Sequence, residues 1–219
     1  MSVFTNEDYN SNNGFLTSVW GPLLWNTLHI ISFNYPVRPT EADKENYYQF
    51  IISLSKVIPC GKCRENVKTN LEATNFNKSK LKNRDTFSRF VYDLHNVVNR
   101  MLKKPNYLTY EAIRDRYELF RARCVDGVPT IPVHNKELGC IVPLNNVKTQ
   151  CMINIVPYKE NIDSFNIDKK CIPPSHSAPS HAVPSHSAPN KSKGGSKKKS
   201  SKRSKKRSKK QSHSRKKSK

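Results

Sequence analysis

Between residues 18 and 121, apolar positions return every three or four residues. This spacing predicts helices rather than strands. The first helix is expected over about 18–34. Ser18 is its cap, Pro22 is tolerated in its first turns, and Trp25, Leu28, His29 and Ser32 lie on one side. Tyr35-Pro36 should end it, because the residue before a proline is pushed out of the helical region. The second begins at Thr40, with Asp43 as its capping-box partner, and carries an apolar stripe of Tyr47, Phe50, Ile51, Leu54, Val57 and Ile58. The third starts at Cys60 and fades by Thr74, and a polar loop follows over 75–83. The fourth holds the clearest period, through Phe87, Phe90, Val91, Leu94, Val98, Met101 and Leu102, until Pro105 stops it. A fifth is expected over 109–121. No segment before residue 124 reads as a strand. The expected class is all-α: a four-helix bundle plus a short fifth helix.

The pattern changes outside that stretch. Residues 1–14 are polar and Asn/Ser-rich, and are expected to be a disordered lead ahead of a domain over 15–124. Residues 125–172 hold short apolar pieces broken by proline, around Val128 and around Gly139 to Pro143. They are expected to form a small appendage of edge strands or extended arms. Residues 173–190 contain three Pro/Ser/His pentads and read as a linker. Residues 191–219 carry 16 Lys/Arg and no acid, and their self-repulsion predicts disorder.

Charge changes the picture less than the total of +22 suggests. The first 190 residues carry 23 basic and 17 acidic side chains, a balance of +6, so the excess belongs to the tail. The tail is expected to bind phosphate backbones or another anionic surface without sequence preference, with solubilising or nuclear targeting as the plain alternatives. Residues 1–13 lack the apolar run of a secretory signal, and no run approaches membrane-spanning length. These features predict an intracellular protein.

The candidate chemistry centres on Pro59-Cys60-Gly61-Lys62-Cys63. A C-x-x-C serves redox or metal binding. Zinc needs two further ligands, and Cys124, Cys140, Cys151 and Cys171 form no second such pair, so no metal site is expected. A thioredoxin-like motif would follow a strand, whereas this one lies between helices. At a helix N-terminus, with Lys62 and Arg64 nearby, the thiolate form is favoured. The fourth helix adds a second constellation. His95 and Asn99 sit one turn apart beside the apolar stripe, with Asn96 next along, and such groups are costly to bury without partners. Trp25 and His29 offer a stacking surface and a further donor. Together these groups suit a planar cofactor held between helices.

Three motifs in order resemble the Erv/ALR family of FAD-linked sulfhydryl oxidases, including versions encoded by large DNA viruses. They are Gly21-Pro-Leu-Leu-Trp25-Asn-Thr-Leu-His29, then Pro59-Cys60-Gly-Lys-Cys63, then His95-Asn96-Val-Val-Asn99-Arg-Met-Leu102-Lys-Lys104-Pro105. The resemblance implies a helical bundle binding FAD and a reaction that makes disulfides in protein thiol substrates, with O2 going to hydrogen peroxide. Cys63 would be flavin-proximal and Cys60 the exchanging cysteine. Gly21, Trp25, His29, His95, Asn96, Asn99 and Lys104 would contact FAD, with Tyr117 near the adenine. It also implies a homodimer, in the host cytoplasm or virion for a viral version. Where many relatives have a disulfide tying the fourth helix to the fifth, this chain has Tyr92 and about Thr109. Cys140 and Cys151 are open to reading as a shuttle pair, a structural bridge or free thiols. The competing classes are a flavin-free exchange protein with this C-x-x-C, and a basic structural protein.

Overall fold

The computed structural model describes residues 4–104, 108–125, 139–158, 160, 163 and 165–173. Within them run α1 (Asn6–Tyr9), α2 (Thr17–Asn34), α3 (Glu41–Val57), α4 (Gly61–Ala73), α5 (Arg84–Met101) and α6 (Tyr110–Glu118). They are followed by β1 (Ala122–Val125) and β2 (Gly139–Pro143). The helices are cut where local chemistry dictates. Thr40 caps α3 through a reciprocal box with Asp43, and Asn83 does the same for α5 with Thr86. Tyr35 and Ile58, each before a proline, take ψ of 143° and 141° and so end α2 and α3.

Two helix ends are set by backbone turns. At α4, Asn75 takes φ 50° while Phe76 N–H reaches Leu71 C=O and Asn75 N–H reaches Glu72 C=O. At α5, Lys103 takes φ 55° while Lys104 N–H reaches Asn99 C=O and Lys103 N–H reaches Arg100 C=O. Both are Schellman closures. The helix expected to run until Pro105 therefore ends at Met101, and Pro105 itself lies outside the described residues.

The core lies between α2, α3 and α5. Leu28, Tyr35, Ile51, Phe87, Phe90, Val91 and Leu94 are buried there, with Phe76 and Trp25 packed against them. Burial of these apolar side chains is the main stabilising term, on the order of 2 kcal/mol each. At the α5–α6 junction the Tyr92 hydroxyl donates to Leu108 C=O at 3.0 Å, and its ring meets Tyr110 edge-on. The Ser88 and Tyr110 hydroxyls share a buried hydrogen bond of 2.7 Å. Noncovalent contacts thus brace the position where the resemblance would place a disulfide.

Several expectations need correction. Ser18 does not cap the first helix: Leu16 stands at that position without a side-chain bond, while Pro22, the sixth helical residue, lies within the first two turns as expected. The lead contains a helical turn, α1, closed by a Thr5–Asp8 capping box. The loop over 75–83 includes a short 3-10 turn, Lys78–Leu81, that swallows Leu81 completely. The Tyr35 hydroxyl donates to the Leu81 carbonyl at 2.9 Å. The fifth helix ends at Glu118 rather than near Arg121, and a strand begins at Ala122, before residue 124, paired antiparallel with β2. That pairing bonds Cys124 to Cys140 and leaves Cys151 as a free, exposed thiol, so no Cys140–Cys151 pair exists. Period alone cannot reveal the burial of Leu81, the strand or the Cys124–Cys140 bond, because each is decided by a partner distant in sequence.

Candidate active site

Cys60 and Cys63 form a disulfide across the first turn of α4. Cys60 is the N-cap, and its sulfur accepts the Cys63 N–H at 3.2 Å. Both cysteines are half-buried. The pair faces two environments. Cys63 Sγ points toward α2, 4.0 Å from Thr17 Oγ1. Cys60 lies at the cap, beside the chain that enters α2: Phe15 N–H donates to Pro59 C=O at 3.1 Å. A Cβ on Gly14 would fall 2.6 Å from that same carbonyl oxygen, so the close approach requires glycine. The Arg64 guanidinium donates to Ile58 C=O at 2.7 Å and stays near the dithiol as a fixed positive charge. Free helical N–H groups and a neighbouring cation both favour a thiolate here.

A row of residues four apart leads along α2 away from the sulfurs: Thr17, Gly21, Trp25, His29 and Phe33. Spacing of four places them along one side of the helix. Gly21 is buried, yet a Cβ on it would meet only the Thr17 methyl, at 3.7 Å. Space therefore opens beside this glycine. Further along, rings from three helices converge. Trp25 stacks on His95 at 4.2 Å between centroids and 5° between planes. His29 Nε2 and His95 Nδ1 share a hydrogen bond of 3.0 Å. Tyr117 stacks on His29 at 5.4 Å and on Phe33 at 5.5 Å.

The electrostatics are those of a dry pocket. Burial, reinforced by His95, pushes the His29 pKa down to about 3; burial, reinforced by Lys104, pushes His95 down to about 4. Both imidazoles are thus neutral near pH 7, and one donates to the other. Burial raises the Tyr117 phenol to about 12. His29 is 2% exposed, and its Nδ1, like Asn26 Oδ1, is buried without a hydrogen-bond partner. An orphaned polar atom of this kind costs about 1–3 kcal/mol. The orphaned imidazole nitrogen, the flat ring faces and the open side of Gly21 fit a planar cofactor with heteroatoms at its edge. No group of three or more His, Cys, Asp or Glu side chains suited to a metal ion occurs among the described residues.

The structure thus brings Gly21, Trp25, His29, His95 and Tyr117 to one region. Asn99 lies one turn beyond His95, and its carbonyl closes the Schellman turn that carries Lys104. Asn96 sits on a neighbouring face of α5, where with Ala73, Tyr92 and Arg100 it lines a groove of about 530 Å³ between α4 and α5. Sequence reasoning missed Thr17 and Phe33, although both extend the four-residue row. It also missed Phe165, whose ring stacks on Tyr117 at 5.8 Å and which has no local signal.

Residues 22–118 match the Erv1 / Alr family. Over 95 residues the chain is 41% identical to the probable FAD-linked sulfhydryl oxidase R368 of Acanthamoeba polyphaga mimivirus, covering 43% of this chain and 66% of that one. It is 29% identical over 93 residues to the putative FAD-linked sulfhydryl oxidase 347L of Invertebrate iridescent virus 6, covering 40% and 82%. With the mitochondrial FAD-linked sulfhydryl oxidase ERV1 of Saccharomyces cerevisiae it shares 29% identity over 83 residues, 38% of this chain and 42% of that protein. The matched stretch therefore spans less than two thirds of the mimivirus and yeast proteins. The FAD binding domain of Erv1 from Saccharomyces cerevisiae aligns at TM-score 0.40 and 27% identity, covering 44% of this chain and 89% of that domain.

Proposed function

With residues 22–118 belonging to the Erv1 / Alr family, we propose that this chain is a FAD-linked thiol oxidase that forms disulfides in cysteine-containing protein substrates. The observation that carries the reading is the Cys60–Cys63 disulfide at the N-terminus of α4, lying against the same row of α2 that leads to the His29–His95 pair. Bound FAD would supply the two-electron acceptor between this dithiol and O2, with hydrogen peroxide as the product.

The chain's own residues would act as follows. A substrate thiolate attacks Cys60 Sγ, the sulfur at the cap. The Cys60–Cys63 bond breaks, and Cys63 leaves as a thiolate facing α2. A second substrate thiolate then attacks the substrate sulfur of the mixed disulfide and expels Cys60 as a thiolate. The substrate has lost two electrons and two protons, and the Cys60/Cys63 pair has gained the electrons. The α4 N–H groups stabilise the charge that appears at each step. FAD would be held by Gly21, Trp25 and His29 on α2 and by His95 and Asn99 on α5, with Asn96 and Lys104 at the flanks and Tyr117 closing the α6 side. The neutral imidazoles offer one donor and one acceptor to the cofactor edge, and the ring cluster keeps water out.

The oxidase domain is assigned to 15–124, the appendage to 125–172, the linker to 173–190 and the basic tail to 191–219. The tail would hold the enzyme on nucleic acid or another polyanion. Leu23 and Ile30 on α2, and Phe50 and Val57 on α3, are exposed apolar residues seven apart, which suits a homodimer. No helix among the described residues is long and apolar enough to cross a membrane. The viral relatives suit a place in host cytoplasm or virion.

Purified full-length protein is expected to be yellow, with a flavin spectrum, and to consume O2 when given dithiothreitol. A folded, colourless preparation that takes up no added FAD would overturn the reading and leave a flavin-free exchange protein.

A further inference from the structure

Tyr117 packs on rings from two parts of the chain, and one of these, Phe165, lies beyond the family-matched segment. Its ring plane makes 26° with His29 and 29° with Phe33. Phe165 stacks on it at 5.8 Å and 19°, and itself meets Phe120 edge-on at 6.5 Å. The start of the segment leading to Phe165 is fastened at the end of α6. Leu144 N–H donates to Arg121 C=O at 3.0 Å, and Asn145 Nδ2 donates to Leu119 C=O at 2.8 Å. Arg121 in turn donates to Phe33 C=O at 2.9 Å, tying this corner to α2. Farther along, Met152, Ile153 and Ile155 stay exposed, at 82%, 64% and 69%, whereas Phe165 is half-buried against Tyr117.

We propose that Phe165 is a cofactor-positioning residue. It holds Tyr117 in a fixed orientation beside His29, so that the phenol ring borders the planar part of bound FAD without having to be ordered first. The inference rests on the function proposed above and adds to it a residue from the C-terminal appendage. Its physical basis is preorganisation. A ring held by few neighbours must be immobilised when the cofactor arrives, whereas a ring already packed on His29, Phe33 and Phe165 carries that cost in advance. The consequence is slower loss of the cofactor rather than a change in thiol chemistry, because Phe165 is no part of the sulfur site.

The test uses the full-length chain loaded with FAD and follows free-flavin fluorescence after dilution. Unmutated protein is measured first; failure to bind FAD at all would defeat the function itself, and this inference with it. Given binding, Phe165→Ala should release flavin roughly tenfold faster, the loss expected of one well-formed aromatic pair. Phe165→Leu keeps the apolar bulk and should also release faster, while Phe165→Tyr should match the unmutated chain. Release at the original rate from the leucine or alanine variant, or fast release from the tyrosine variant, overturns the proposal. A purely packing role would spare the leucine variant.

Discussion

The two disulfides of this molecule sit in opposite settings. Cys60 and Cys63 are three residues apart, at the open end of a helix whose N–H groups and neighbouring arginine favour a thiolate. Cys124 and Cys140 are 16 residues apart and join two paired strands outside the bundle. Closing the longer loop removes more freedom from the unfolded chain, on the order of 3 kcal/mol, whereas the short loop constrains little. Under the proposed function the first bond would be broken and remade, and the second would hold the two strands together. A C-x-x-C is therefore informative because of what surrounds it, and a cysteine pair without those surroundings reads as a staple.

The largest expected effect strikes the first pair. Cys63→Ser should drop dithiothreitol-dependent oxygen uptake to background while FAD remains bound, because the sulfur nearest α2 is gone but the ring cluster is intact. Normal turnover in that variant would refute the assignment of roles. Replacing Cys124 and Cys140 together by serine should do the reverse: turnover within about twofold, but a lower urea midpoint, by up to about 3 kcal/mol in stability. Loss of turnover there, without unfolding, would show that the second pair also carries electrons.

Acid should separate bundle from hairpin. The folded pKa values of His29 and His95, about 3 and about 4, lie below the unfolded value of 6.5. Between these values the unfolded chain binds more protons. Stability is therefore complete above pH 6.5 and is lost as pH falls through the window, by at most about 1.4 kcal/mol per pH unit for each imidazole. Urea titrations of FAD-free protein from pH 7 to pH 4 should show the decline, and His29→Gln should flatten it. An unchanged slope in that variant would place the pH sensitivity elsewhere. The smallest effect belongs to the α5–α6 brace: Tyr92→Phe removes the hydroxyl that reaches Leu108 and should cost about 1 kcal/mol by thermal unfolding, with turnover unaffected. No loss would mean that ring packing on Tyr110 alone holds the junction.

Helices α2 to α5 were legible in the chain because they carry local instructions: an apolar period, the Thr40 cap of α3, a proline after Tyr35 and after Ile58. The sulfur pair was legible for the same reason, since a helix N-terminus is a local property. The Trp25/His29 and His95/Asn99 spacings marked which helices hold the polar site, but not that His29 would bond His95 at 3.0 Å or keep an orphaned nitrogen. Only the tertiary structure decided the burial of Leu81, the strand at 122–125, the Cys124–Cys140 bond and the stacking of Phe165 on Tyr117. Each of these is a contact between residues far apart in the chain. Its free energy depends on which surfaces the folded bundle leaves uncovered, and no periodicity within a window of residues encodes that.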